Sequence, residues 1–126
     1  MIPTDPAGNR LQPSLRRIGP PACVSIVIPA YNEAGALAAT LDMIARHLSA
    51  LTPVFELVVV DDGSRDATAR IACECAVRLP VTLVRFSRNF GKEAAISAGL
   101  QYARGDVVVC MDADGQHSAE LLGDML

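Results

Sequence analysis

The chain has 126 residues, 51% of them apolar and 20% charged, with a net charge of -3. That is room for one globular domain around one core, without the basic excess of a nucleic-acid binder. No apolar run approaches the roughly 18–20 residues a membrane-spanning helix needs, so this stretch is expected to carry no span.

Residues 1–21 are rich in proline and glycine and lack an apolar h-region, which predicts a flexible leader and not a signal peptide. Residues 22–126 are expected to form the folded part. The four cysteines, Cys23, Cys73, Cys75 and Cys110, sit in apolar segments with no CxxC pair and no zinc-finger histidine spacing. They read as buried thiols of a cytoplasmic protein.

Two hydrophobic periods alternate after the leader. Residues 24–28 form a β-branched run that predicts a strand ended by Pro29, and Leu37, Leu41, Ile44 and Leu48 recur at helical spacing. Residues 55–60 predict a second strand. A helix is then expected over 66–79, with Arg70, Glu74 and Arg78 on a solvated face and Pro80 as its stop. Residues 81–86 predict a third strand. A third helix is expected over about 93–103, with Ile96, Leu100 and Ala103 inward, Glu93, Ser97, Gln101 and Arg104 outward, and Gly105 ending it. Residues 106–111 predict a fourth strand, and Ser118 an N-cap with Glu120 near the next helix start. The chain stops at Leu126, in an early turn of that helix, which suggests a fragment of a longer protein. This alternation predicts an α/β fold, a mostly parallel sheet covered by helices on both faces.

In such sheets ligands bind outside the carboxyl ends of the strands, and each predicted strand end carries a polar cluster. Asp112 and Asp114 follow the fourth strand, and two carboxylates at this spacing can share a hard cation that also holds phosphates. An Asp-rich turn with an Asx cap is the plainer reading. Asp61-Asp62-Gly63-Ser64 follows the second strand. It can be a turn with a Ser cap, or offer a carboxylate to a base N–H or a ribose hydroxyl. Tyr31-Asn32-Glu33 follows the first strand, where Asn32 could cap the first helix, or Tyr31 and Glu33 could meet a ligand. Arg88, Asn89 and Lys92, the only lysine, precede a helix N-terminus whose free N–H groups suit an anion. This is no P-loop, since Phe86 and Glu93 occupy the first Gly and the Ser/Thr positions. His117 is a lone loop histidine that could be a metal ligand, and His47 reads as a surface or structural residue.

The strings VSIVIPAYNE (24–33), VDDGSRD (60–66) and GDVVVCMDAD (105–114) resemble those of family two GT-A glycosyltransferases. The string SRNFGKEAA (87–95) is similar to the branch that transfers sugars to polyprenyl phosphates, the dolichyl-phosphate mannosyltransferase and bactoprenol glucosyltransferase type. The resemblance covers about residues 23–126. It implies a Rossmann-like GT-A nucleotide-sugar-binding domain cut after the DxD motif, a nucleoside-diphosphate sugar donor, and Mg²⁺ or Mn²⁺. By position, Pro29, Tyr31, Asn32, Glu33, Asp61 and Asp62 would serve the nucleoside side. Arg88 and Lys92 would lie near the phosphates, and Asp112, Asp114 and Gln116 at the metal. The implied reaction is displacement with inversion onto a polyprenyl phosphate, at the cytoplasmic face of a membrane in a longer protein. Any catalytic base would lie beyond residue 126. In the branch pattern Asp-Ala-Asp is followed by Leu-Gln-Asp or Leu-Gln-His; here Gly115 replaces the Leu and His117 follows Gln116, which weakens the mannosyl assignment. Alternatives are a non-catalytic nucleotide-sugar-binding fragment, or a phosphatase forming an aspartyl-phosphate on Asp112.

Overall fold

The computed structural model describes residues 23–114. The leader, Gly115, Gln116, His117, Ser118 and Glu120 lie outside the described residues. Four strands, β1 (Val24–Ala30), β2 (Phe55–Asp61), β3 (Val81–Arg85) and β4 (Val107–Cys110), alternate with α1 (Leu37–Leu51), α2 (Thr68–Cys75) and α3 (Lys92–Tyr102). All pairings are parallel, in the order β3-β2-β1-β4. Val24 pairs with both Phe55 and Val107, which fixes the register of the central strand on its two sides.

Helix placement follows from this order. The chain steps outward from β1 through β2 to β3, then returns across the sheet to β4. Right-handed crossovers therefore put α1 and α2 on one face and α3 on the other. The side chains agree. Even-numbered residues of β1 and odd-numbered residues of β2 (Val24, Ile26, Ile28, Leu57, Val59) form the larger core with Leu37, Leu41, Ile44 and Leu48 of α1 and Ala72 and Cys75 of α2. Val27, Val58 and Val60 meet Ala95 of α3 on the opposite face. The four α1 side chains are fully buried, each contributing about 1.5–3 kcal/mol.

The sheet with helices on both faces matches the expectation, but several local readings are corrected. Pro29 does not end β1, because it lies within the strand and pairs with Val60. The Val27 carbonyl accepts from the Met111 N–H, so odd-numbered residues of β1 turn their backbone groups toward β4. The β4 pairing stops at Val27, and the N–H that proline lacks falls on a side with no ladder bond to lose. Helix α2 ends at Cys75, and residues 76–79 form tighter turns, with Val77 and Arg78 N–H bonding to Glu74 and Cys75 carbonyls. Pro80 disfavours helical backbone at Leu79. Arg70 pairs with Glu74 at 3.7 Å, whereas Arg78 reaches Asp42 on α1.

Helix α3 buries Ala95 and Gly99, not Ile96 and Leu100; Leu100 is 50% exposed. Size decides the face. A Cβ on Gly99 would sit 2.3 Å from Val27 Cγ1, so α3 approaches the sheet through its smallest side chains. Gly105 is not a left-handed cap, since the helix is capped by Ala103. It is needed for space, because a Cβ there would lie 2.6 Å from Ser25 Oγ. That hydroxyl donates to Glu56 Oε2 at 2.5 Å and accepts from the Gly105 N–H at 2.8 Å. The Arg104 N–H donates to the same Glu56 oxygen at 2.6 Å. This latch anchors the start of β4 at the amino end of the sheet. Of the cysteines only Cys75 is buried, and Cys73 and Cys110 are exposed. Cys73 lies on the outer side of α2. Cys110 lies on the β4 face that α3 leaves open.

The Gly99 contact predicts that Gly99→Ala lowers stability by about 1–3 kcal/mol through overpacking. Urea denaturation of the single and double variants should show Val27→Ala returning part of that loss in the Gly99→Ala background.

Candidate functional site

Because every strand runs the same way, all four carboxyl ends open on one edge. Strand order reverses between β1 and β4, the point where open α/β sheets form a crevice. A cleft of ≈ 310 Å³ lies there. Pro29, Ala30, Tyr31 and Glu33 line it from the first strand end, Asp62 from the second, Lys92 from α3, and Asp112, Ala113 and Asp114 from the fourth. Of the residues singled out by sequence, the cleft gathers Pro29, Tyr31, Glu33, Asp62, Lys92, Asp112 and Asp114. Asn32, Asp61 and Arg88 do not line it, and Gln116 lies outside the described residues.

Asn32 has left-handed backbone, φ 53°, and does not cap α1. Its N–H donates to Ser64 Oγ at 2.9 Å, and its Oδ1 accepts the Arg65 N–H at 2.9 Å. The next two N–H groups are taken by the segment after β2 and the start of α2, Ala34 by Asp66 Oδ2 at 3.2 Å and Glu33 by Thr68 Oγ1 at 2.9 Å. The Thr68 hydroxyl in turn bonds to Asp66 and holds its carboxyl below the ordinary aspartate range. Sequence reasoning missed Thr68 in this role and read Ser64 only as a cap and Asp66 only as a helix start. The signal was the Ser-Arg-Asp-Ala-Thr run, whose small hydroxyl and carboxylate side chains bond readily to nearby backbone. Their partners lie some thirty residues away, and nothing local announces them.

The paired aspartates divide their work. Asp61 is fully buried; its Oδ1 accepts the Ser64 N–H at 3.0 Å. Its Oδ2 has no hydrogen-bond partner among the described residues, with Arg85 Nε at 3.8 Å. Asp62 reaches forward to the entry of α3. Its two oxygens accept the N–H groups of Phe90 at 2.7 Å and Gly91 at 3.0 Å. A buried carboxylate of the protein thus holds the two N–H groups that immediately precede the first turn of α3. Gly63 makes the approach possible, since a Cβ there would fall 2.2 Å from the Arg88 backbone carbon. Arg88 stacks on Phe90, its guanidinium carbon 4.7 Å from the ring centroid, and Phe90 meets Phe86 edge to face at 5.5 Å.

Lys92, the first residue of α3, extends across the cleft. Its Nζ donates to Asp112 Oδ1 at 2.8 Å, and that carboxylate holds the ammonium above its ordinary pKa. Asp112 is partly shielded and Asp114 exposed. Two carboxylates with accessible oxygens suit a hard divalent cation. Among the described residues no group of three His, Cys, Asp or Glu side chains could enclose one. His47 is a surface residue, its Nδ1 2.9 Å from the Met43 carbonyl of its own helix.

The Asp62 clamp carries a direct prediction. Asp62→Asn replaces one acceptor oxygen by an NH₂ that faces a backbone N–H. Stability should fall by about 1.5–3 kcal/mol, and hydrogen exchange at the Phe90 and Gly91 amides should accelerate.

Comparison with known proteins bears on this site. An undecaprenyl-phosphate 4-deoxy-4-formamido-L-arabinose transferase of Pseudomonas fluorescens (strain Pf0-1) is 46% identical over 100 residues, covering 78% of this chain and 29% of that protein. An uncharacterised glycosyltransferase of Synechocystis sp. is 42% identical over 107 residues, 82% of this chain and 33% of that protein. The chain thus spans about a third or less of these relatives. Among solved structures, Staphylococcus aureus TarS 1–349 superposes with a TM-score of 0.66 at 27% identity, over 82% of this chain and 31% of that one. A mannosyltransferase from Pyrobaculum calidifontis, in complex with GDP-Man and Mn²⁺, gives 0.62 at 33% identity, over 75% and 28%. The fold is the GT-A arrangement expected from the sequence. The model of the family described as glycosyl transferase family 2 matches residues 25–126, and this chain belongs to that family.

Proposed function

We propose that this chain is the donor-binding part of an inverting glycosyltransferase. In this reading it holds a nucleoside-diphosphate sugar with Mg²⁺ or Mn²⁺, and the sugar passes to a polyprenyl phosphate. The observation that carries the reading is the meeting of Tyr31, Glu33, Lys92, Asp112 and Asp114 in one cleft at the β1–β4 switch point. The undecaprenyl-phosphate transferases among the relatives support the acceptor class, and the GDP-Man and Mn²⁺ of the Pyrobaculum calidifontis neighbour support the donor and metal class.

In this assignment Pro29, Tyr31, Asn32, Glu33, Asp61 and Asp62 form the nucleoside side. The buried Asp61 Oδ2 is an acceptor with capacity left for a base N–H or a ribose hydroxyl. Asn32 and Asp62 act there as supports, since their hydrogen bonds hold the loops and not open space. Lys92 supplies a fixed positive charge beside the departing diphosphate. Arg88 would have to leave the Phe90 ring to do the same. Asp112 and Asp114, with Gln116, would hold the divalent ion, which when bound supplies Lewis-acid neutralisation of the charge building on that diphosphate. A phosphate acceptor is already anionic near neutral pH, so no strong base is required of these residues. Asp112 follows the fourth strand of a family 2 domain, which favours this reading over an aspartyl-phosphate nucleophile. Among the described residues no helix is long and apolar enough to cross a membrane. The cytoplasmic membrane face is proposed as the site of action of a longer protein.

Calorimetric titration with UDP- and GDP-sugars, with and without Mn²⁺, tests the assignment. Donor binding should require Mn²⁺ and weaken by about tenfold or more, ~1.4 kcal/mol per decade, in Asp112→Asn and Asp114→Asn. Metal-independent binding that survives both substitutions would contradict it. Radiolabelled sugar transfer to a polyprenyl phosphate then separates an enzyme from a donor-binding fragment, which would bind without transferring.

A further inference from the structure

Lys92 is placed against the electrostatics of its own helix. The N-terminal turn of an α-helix favours anions and disfavours cations, yet the chain's only lysine is the first residue of α3. Its position is well fixed. Gly91 turns the backbone with φ 104°, and Asp62 holds the two preceding N–H groups. What balances the ammonium is Asp112, whose Oδ1 lies 2.8 Å from Nζ. The same carboxylate belongs to the pair assigned to the divalent cation. A metal approaching it meets a positive charge already seated there and must share or displace it.

We infer that Lys92 is a resident cation on Asp112, which weakens metal binding until a nucleoside diphosphate arrives to accept the ammonium. The inference rests on the donor-site reading above and deepens it. The diphosphate offers Nζ a second anionic partner, which releases Asp112 Oδ1 to the metal. Metal and nucleotide then bind with positive coupling, and by linkage each strengthens the other by the same factor. A metal site without this lysine would fill in the absence of donor.

Mn²⁺ binding to the full 126-residue chain, followed by the EPR signal of the free ion, tests this with no turnover required. Titrations are run alone and with saturating UDP or GDP, for the parent chain and for Lys92→Gln, Lys92→Arg and Asp112→Asn. Lys92 is mostly exposed, side chain 63%, so glutamine leaves the core intact. An exposed ion pair of this kind is worth a factor of roughly two to five. Lys92→Gln should bind Mn²⁺ alone tighter by that factor and show a smaller gain on adding nucleotide, while Lys92→Arg should behave like the parent. If Lys92→Gln binds Mn²⁺ alone no tighter than the parent, or keeps the full nucleotide gain, while Asp112→Asn loses Mn²⁺, the inference about Lys92 fails and the donor site stands. If Asp112→Asn retains parental Mn²⁺ binding, the metal site itself is misplaced and both fail.

Discussion

The bond on which the candidate site most depends is the one from Asp62 to the entry of α3. A carboxylate only 4% exposed at the end of β2 satisfies both oxygens with backbone N–H groups of the next loop. A buried charge without such partners would be strongly unfavourable, so the loop has little freedom to move away. From this bond follow the turn at Gly91, the start of α3, and the reach of Lys92 toward Asp112. The β2 end therefore shapes the cleft more through the backbone it organises than through any group it presents. In the same loop Arg88 lies over the Phe90 ring, which Phe86 meets edge to face.

The opposite end of the sheet is fixed by different means. Ser25, Glu56 and the backbone of Arg104 and Gly105 tie the start of β4 to β1 and β2 through short hydrogen bonds. Strand β4 has only four residues, so its register at the amino end decides where its carboxyl end delivers Asp112 and Asp114. The Gly99–Val27 contact adds the third dimension, since it sets how close α3 lies to the sheet. Ladder register, helix height and loop clamp together determine the separation of Lys92 and Asp112.

Much of this architecture was legible because its signals are local and periodic. The β-branched runs, the Leu37-Leu41-Ile44-Leu48 repeat and the Asp112–Asp114 spacing depend on residues within one element. The failures share a cause in what lies across from a residue. Which face of α3 turns inward was set by the smallness of Ala95 and Gly99 against Val27, whereas hydrophobicity pointed to Ile96 and Leu100. Pro29 was tolerated because of the side to which its backbone turns, a fact about β4 and not about proline alone. The Asp61-Asp62 pair was recognised, but its division into a buried acceptor with one oxygen unpartnered among the described residues and a backbone clamp was not. That division depends on Ser64, Arg85, Phe90 and Gly91 in three dimensions. Arg88 has the right charge and the right neighbourhood, yet an adjacent aromatic ring offers it a nearer partner.

Asn32 shows how such a fold limits redesign. Position 32 needs a residue at ease with left-handed backbone and carrying a side-chain oxygen for the Arg65 N–H. Glycine meets the first demand only, and most other residues meet neither. Asparagine and aspartate form nearly the whole usable alphabet. Tyr31 and Glu33 on either side line the cleft without that double requirement. A combinatorial library aimed at reshaping the cleft would therefore spend its diversity at 31 and 33 and hold 32 constant, treating the middle residue of the triplet as scaffold and its neighbours as variable lining.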